Sequence, residues 1–186
     1  MTGHVAVVGG TPVPVAELDA REARLRAGRP AASLPRPGTS EGRQLRRWLT
    51  QLLVTERVVA AEAAARGLTA LTAAAAPRED ELLPDLTARM EIGSVTGAAL
   101  AGSLGRALFA EVTSGIDVTG EDVADYRARN PRRFPTVEAV ADHLRAAARR
   151  RAFRIWLDAR RAELVELAPG YEHPGDPRQP DNVHKH

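Results

Sequence analysis

The chain contains no cysteine, so neither disulfides nor thiolate chemistry can contribute to its fold or its reactions. Lysine is almost as scarce: Lys185 is the single one, and arginine supplies the rest of the positive charge. With the high alanine content, this points to a GC-rich, bacterial coding bias. Aromatic residues make up only 4% of the 186 residues, so a core must come mainly from helices packed closely through small side chains. No stretch approaches the ~20 apolar residues of a membrane span. The opening MTGHVAVVGG has no basic segment followed by a long apolar run, so no signal peptide is read and a cytoplasmic location is expected. A formal net charge of +2 is too balanced to favour nucleic acid. The phosphate-loop, dinucleotide, Gly-x-Ser-x-Gly and His-Glu-x-x-His patterns are all missing, so no standard catalytic motif names a reaction.

The segments that are present read mostly as helix. Val5–Val8 is a short β-favouring run, Gly9-Gly10 suits a tight hairpin turn, and residues 11–15 return. Residues 15–27 read as a first helix, and the proline- and glycine-rich stretch 28–38 as a loop. Residues 40–67 read as a long helix with Leu45, Trp48, Leu49, Leu52, Leu53, Val59 and Ala63 at helical spacing, closed by Gly67. A weaker helix over 77–90 is interrupted at Pro84. Residues 96–112 are apolar, and Gly97, Gly102 and Gly105 there allow close helix contact or mark a flexible segment. Thr119 and Asp122 form a capping box, with Asp where Glu or Gln is usual, before a helix over about 121–129. The last helix is expected over 136–163, with Val137, Val140, Leu144, Ala148, Ala152, Ile155, Trp156 and Ala159 on its apolar face. Residues 164–167 can form a strand paired with the N-terminal hairpin. The expected architecture is therefore mainly α: a multi-helix bundle over 1–168 with a small N-terminal hairpin, followed by a tail over 169–186.

VAVVGGTPVPVAELD, LRRWLTQLLVTERVVAAEAAARGL and VTGEDVADYRARNPRRF, in this order and followed by the long helix and closing strand, resemble the N-terminal helical chaperone module of SurA and related parvulin-type foldases. That module is also related to the peptide-binding part of trigger factor. The resemblance covers about residues 4–167. It implies a scaffold that holds peptides or partner proteins in an apolar groove. In those foldases a prolyl isomerase domain of about a hundred residues follows the helix equivalent to 121–129. Here Phe134 leads almost directly into the last helix, so isomerase activity is not expected.

Three groups of residues are candidates for function. Trp48, Phe109, Tyr126, Phe134, Phe153 and Trp156 are the anchors of a ligand groove for a peptide, a partner protein or a small apolar molecule, or else they form the core. The tail holds His173, Asp176, Asp181, His184 and His186, whose imidazoles and carboxylates suit a transition metal, unless the segment is a polar end without a site. Such a tail can also act as a lid, or as an arm exchanged in a homodimer. Arg145, Arg149, Arg150, Arg154 and Arg161 on the last helix can meet phosphates, but acids at i,i+3 and i,i+4 favour a salt-bridged, solvated face. His143 reads as a half-buried structural histidine or a general base. Glu56 and Glu62 read as solvated. Two functions follow: a chaperone-like binding protein without isomerase activity, or a biosynthetic enzyme, a cyclase or a metal-assisted one, whose tail completes the active site. A long open cleft favours the first, and a closed pocket capped by the tail favours the second.

Overall fold

The computed structural model describes residues 3–28 and 33–176. The chain is mainly helical, with a small three-stranded antiparallel sheet built around its N-terminus. Its contacts divide it into two compact units, one formed by the residues up to Ala61 with those from Arg160 onward, the other by Glu62–Ala159.

In the first unit, β1 (His4–Val8) and β2 (Thr11–Pro14) form the expected hairpin. Gly9 and Gly10 stand at φ 54° and 80°, a geometry that a two-residue primed turn demands and that side chains resist. The strand β3 (Val165–Leu167) pairs antiparallel with the other side of β1, placing Ala6 opposite Leu167 and giving the order β2-β1-β3. Val5, Ala6, Val8 and Val13 are buried. Leu18 of α1 (Val15–Arg26) is buried with them. Charge fixes α1 against α2 (Ser40–Ala65), through Arg57–Glu17 at 2.6 Å, Arg21–Glu56 at 2.8 Å, and Arg46 held by Asp19 at 2.7 Å and Glu22 at 2.6 Å. Burial pushes the Glu22 carboxyl pKa up, but hydrogen bonds from Arg26 and Arg46 outweigh it and hold it below the usual value. After α2, Gly67 N–H bonds Ala64 O and Leu68 N–H bonds Ala63 O, which closes the helix.

The second unit contains α3 (Ala70–Ala73), a short turn of helix with no marker in the sequence, then α4 (Glu79–Leu82) and α5 (Leu86–Ile92). The break between α4 and α5 falls at Pro84, and Asp85 caps α5 by accepting Ala88 N–H at 2.8 Å. The glycine-rich apolar stretch is two helices, α6 (Ser94–Ala99) and α7 (Ser103–Val112), joined by a tight turn. Arg106 donates to Leu100 O at 3.1 Å and Ala101 O at 2.8 Å, satisfying carbonyls that the end of α6 leaves open. Then come α8 (Gly120–Arg129) and the 28-residue α9 (Val137–Leu164). The core of this unit holds Leu83, Ile92, Leu100 and Leu108, with Phe109 and Phe153 in edge-to-face contact at 5.1 Å.

Two sequence expectations are corrected here. The inner face of α9 is Val140, Arg150, Phe153 and Leu157, while Ile155 is 63% exposed. Arg150 can be buried because Glu91 and the Leu82 carbonyl meet its guanidinium. Glu62 is also buried, at 5% exposure, because Arg66 one turn later pairs with it.

The capping box of α8 is complete: Thr119 Oγ1 accepts Asp122 N–H at 3.1 Å, and Thr119 N–H donates to Asp122 Oδ2 at 3.1 Å. Thr119→Ala is expected to lower the unfolding free energy by about 1 kcal/mol, measured by thermal denaturation. No change would mean that α8 contributes nothing to the cooperative unit.

Candidate functional site: an open groove between α8 and α9

α8 and α9 form an antiparallel helical hairpin, since Asp117 before α8 pairs with Arg145 two turns into α9 while the short join 130–136 closes the other end. Along one side of this hairpin runs an open groove of about 620 Å³. Gly120, Ala124 and Ala128 recur at i,i+4 on α8, and Val137 and Ala141 do the same on α9. Val118 and Val123 complete the apolar lining, so the surface is made of small aliphatic side chains. Ala124 and Ala128 are exposed, and Val137 is 43% exposed. Asp117 and Arg145 sit at one end, 2.8 Å apart. The Val118 N–H, and then Arg145, hold the Asp117 carboxyl below its usual pKa.

The opposite side of the hairpin is aromatic and polar. Tyr126, Phe134 and His143 pack together, with ring centroids 6.1 Å apart for Tyr126–Phe134 and 4.8 Å for Phe134–His143. Tyr126 Oη lies 3.4 Å from His143 Nε2, and Arg133 sits over both the Tyr126 and Phe134 rings. Burial lowers the His143 pKa, and Arg133 and Arg150 lower it further, against Glu91 and Asp85, which raise it. The unfolded chain therefore takes up this proton at a higher pH than the folded one. The contribution to stability is full above about pH 6.5 and is lost as pH falls toward the folded-state value. The melting temperature should fall more steeply between pH 7 and pH 5 in the wild type than in His143→Gln, recorded by thermal melts at stepped pH. Equal slopes would remove His143 from the acid response.

The six aromatic candidates do not converge on one site. Phe109 and Phe153 are core residues. Trp156 is half-buried, stacked on Phe153 at 5.7 Å with Arg66 over its ring. Trp48 is half-buried in α2, in the other unit. Tyr126 and Phe134 brace the hairpin join from the side away from the groove lining. The groove residues went unmarked in the sequence because alanine and valine at helical spacing look the same whether covered or open. The available signal was the i,i+4 repeat of small residues on two consecutive helices.

The arginine face of α9 is internally matched. Arg145 pairs with Asp117 and Asp142, Arg149 donates to Thr113 Oγ1 at 2.9 Å, Arg154 lies 3.9 Å from Asp158, and Arg161 donates to Gln51. In the tail, Arg47 Nε donates to Gly170 O at 3.1 Å and Gln51 Nε2 to Tyr171 O at 3.3 Å, so residues 170–171 lie along α2 within the first unit. His173 Nδ1 accepts Gly175 N–H at 3.0 Å, and Asp176 N–H donates to His173 O at 2.9 Å. Asp181, His184 and His186 lie outside the described residues. Among the described residues, no three His, Asp or Glu side chains gather in a way that could hold a metal. Among the same residues no helix is long and apolar enough to cross a membrane.

Compared with known proteins, the chain matches the model of a family of unknown function (DUF7158) over residues 4–41. That stretch contains β1, β2, α1 and the start of α2, and none of the groove. No curated protein and no solved structure matches the chain.

Proposed function

We propose that this protein is a cytoplasmic, chaperone-like binding protein that holds an apolar peptide segment in the α8–α9 groove and has no prolyl isomerase activity. The observation that carries this reading is the open groove, whose valine and alanine lining is left uncovered by the described chain. The short join 130–136 supports the second half of the statement, because an isomerase domain has no room there. A peptide that buries ~300 Å² of apolar surface gains about 7 kcal/mol before the cost of ordering it, which limits the affinity to about 10 μM at best and to the millimolar range once that cost is subtracted. That range suits a holding protein, which must release its client.

Fluorescence anisotropy with labelled apolar peptides tests the reading. Ala124→Asp and Ala128→Asp put a carboxylate into the lining from exposed helical positions, so the fold survives the change. Each is expected to weaken binding about tenfold or more, because the carboxylate must be desolvated beneath the ligand. Undiminished binding by both variants would move the site elsewhere.

A further inference from the structure

The groove is charged unequally along its length. At the start of α8 the acids outnumber the one arginine: Arg145 holds both Asp117 at 2.8 Å and Asp142 at 2.7 Å, and Asp122 is engaged with Thr119 in the capping box. At the join the balance is different. Arg127 lines the groove, and Arg129, Arg132 and Arg133 follow it in a stretch, 127–133, that holds no acidic residue. All four are exposed. Among the described residues none of the four is in an ion pair. Arg129 Nε donates to the Asp125 backbone carbonyl at 3.2 Å, and Arg133 covers aromatic rings. Of the four, Arg127 lines the groove itself, whereas Arg129 lines the other side of the hairpin with Tyr126 and Arg133 covers rings there. The C-terminal dipole of α8 offsets about half a charge, which still leaves the join net positive beside the groove. Guanidinium groups pair side-on with carboxylates through two parallel hydrogen bonds, so this end is built to meet acidic side chains.

We infer that the occupant of the groove is a protein segment in which an apolar stretch runs directly into acidic side chains, seated with its acidic flank at the α8–α9 join. The inference rests on the peptide-binding reading above and adds to it a client chemistry and a binding direction. The small aliphatic lining accepts many apolar sequences and discriminates little among them. The arginine end fixes which way the segment lies, because reversing it removes the acidic flank from Arg127, the one lining charge without an ion pair among the described residues of the groove.

The test uses the full chain and three labelled peptides with a common core of alternating Ala, Val and Leu. They differ in a C-terminal flank of three Glu, three Ser or three Lys. Anisotropy titrations at low salt should rank glutamate above serine above lysine, with about tenfold between the first two, and the spread should close in 0.5 M NaCl. Arg127→Gln with Arg132→Gln should bring the glutamate peptide down to the affinity of the serine peptide. Three equal affinities, all weakened by Ala124→Asp, would overturn the inference and leave the peptide-binding reading standing. So would a glutamate preference that survives in the double variant, or a lysine preference. Failure of all three peptides to bind a folded wild-type chain would overturn both readings. A wild type that sediments as a dimer while Ala124→Asp sediments as a monomer would assign the groove to a second copy and overturn the inference.

Discussion

Arg150→Ala is expected to lower the unfolding free energy by about 3 kcal/mol. Arg150 is only 5% exposed, and its Nε and Nη2 both donate to Glu91 Oε2, at 3.0 and 2.8 Å. Its Nη1 lies 3.4 Å from the Leu82 carbonyl, so one side chain ties α9 to the end of α4 and to α5. Truncation removes the packing of a long buried stem along with the charge. The Glu91 side chain is 41% exposed and can return to water, which keeps the expected loss at the low end for a broken buried pair. Arg150→Met fills most of the same volume without a charge, so its cost should be nearer about 1 kcal/mol. Urea unfolding of wild type, both variants and Glu91→Gln separates the two contributions. If Arg150→Ala and Arg150→Met lose the same amount, the pairing with Glu91 matters and the stem does not. If neither loses more than about 0.5 kcal/mol, the interior position of Arg150 is refuted.

Gly105→Ala should be as damaging, at about 3 kcal/mol, although alanine is the better helix former by ~1 kcal/mol. A Cβ at this position would lie 1.9 Å from Ala99 O and 2.9 Å from Ala99 C. Both are backbone atoms at the end of α6, so no side-chain rotation relieves the clash. α7 would have to withdraw from the α6–α7 turn, taking buried Leu108 and Phe109 with it. Gly97→Ala is the control, because its Cβ would meet Ile92 Cγ2 at an ordinary 3.5 Å. That change in α6 should be neutral or stabilising by under about 1 kcal/mol. Thermal unfolding of the two single variants gives the answer directly. A Gly105→Ala protein as stable as the wild type would mean that α6 and α7 do not approach as closely as described.

These two positions mark different limits of reading along the chain. Gly105 was visible as one of three glycines in an apolar stretch, with close contact and flexibility both open. The carbonyl of Ala99 identifies close contact as its role, and that atom becomes a neighbour only once the turn at 100–102 has formed. On α9, alanines and arginines dominate. Alanine is compatible with either face, so the apolar stripe can rotate by one residue, about 100°, with little change in pattern. Ranking side chains by hydrophobicity put Ile155 inside and Arg150 outside, the reverse of the arrangement found. Glu91, 59 residues away in sequence, supplies the partner that makes a buried guanidinium tolerable.

Elements governed by local chemistry were legible from residue order. The Gly9-Gly10 turn, the Thr119–Asp122 capping box, the break at Pro84 and the end of α2 before Gly67 each depend on a few neighbouring residues. The short β-favouring run at 164–167 marked a strand able to join the hairpin, and its seat on β1 was decided by the tertiary structure. The mainly helical class followed from the same signals added together. The groove was not legible, because an apolar helical position becomes a site only when no other element covers it. Whether Ala124 or Ala128 is covered depends on where chain segments distant in sequence come to rest, and an alanine carries no mark of that outcome. Local backbone preference therefore set the elements, while packing over long sequence separations set which faces were buried, which charges were matched, and which surface stayed open.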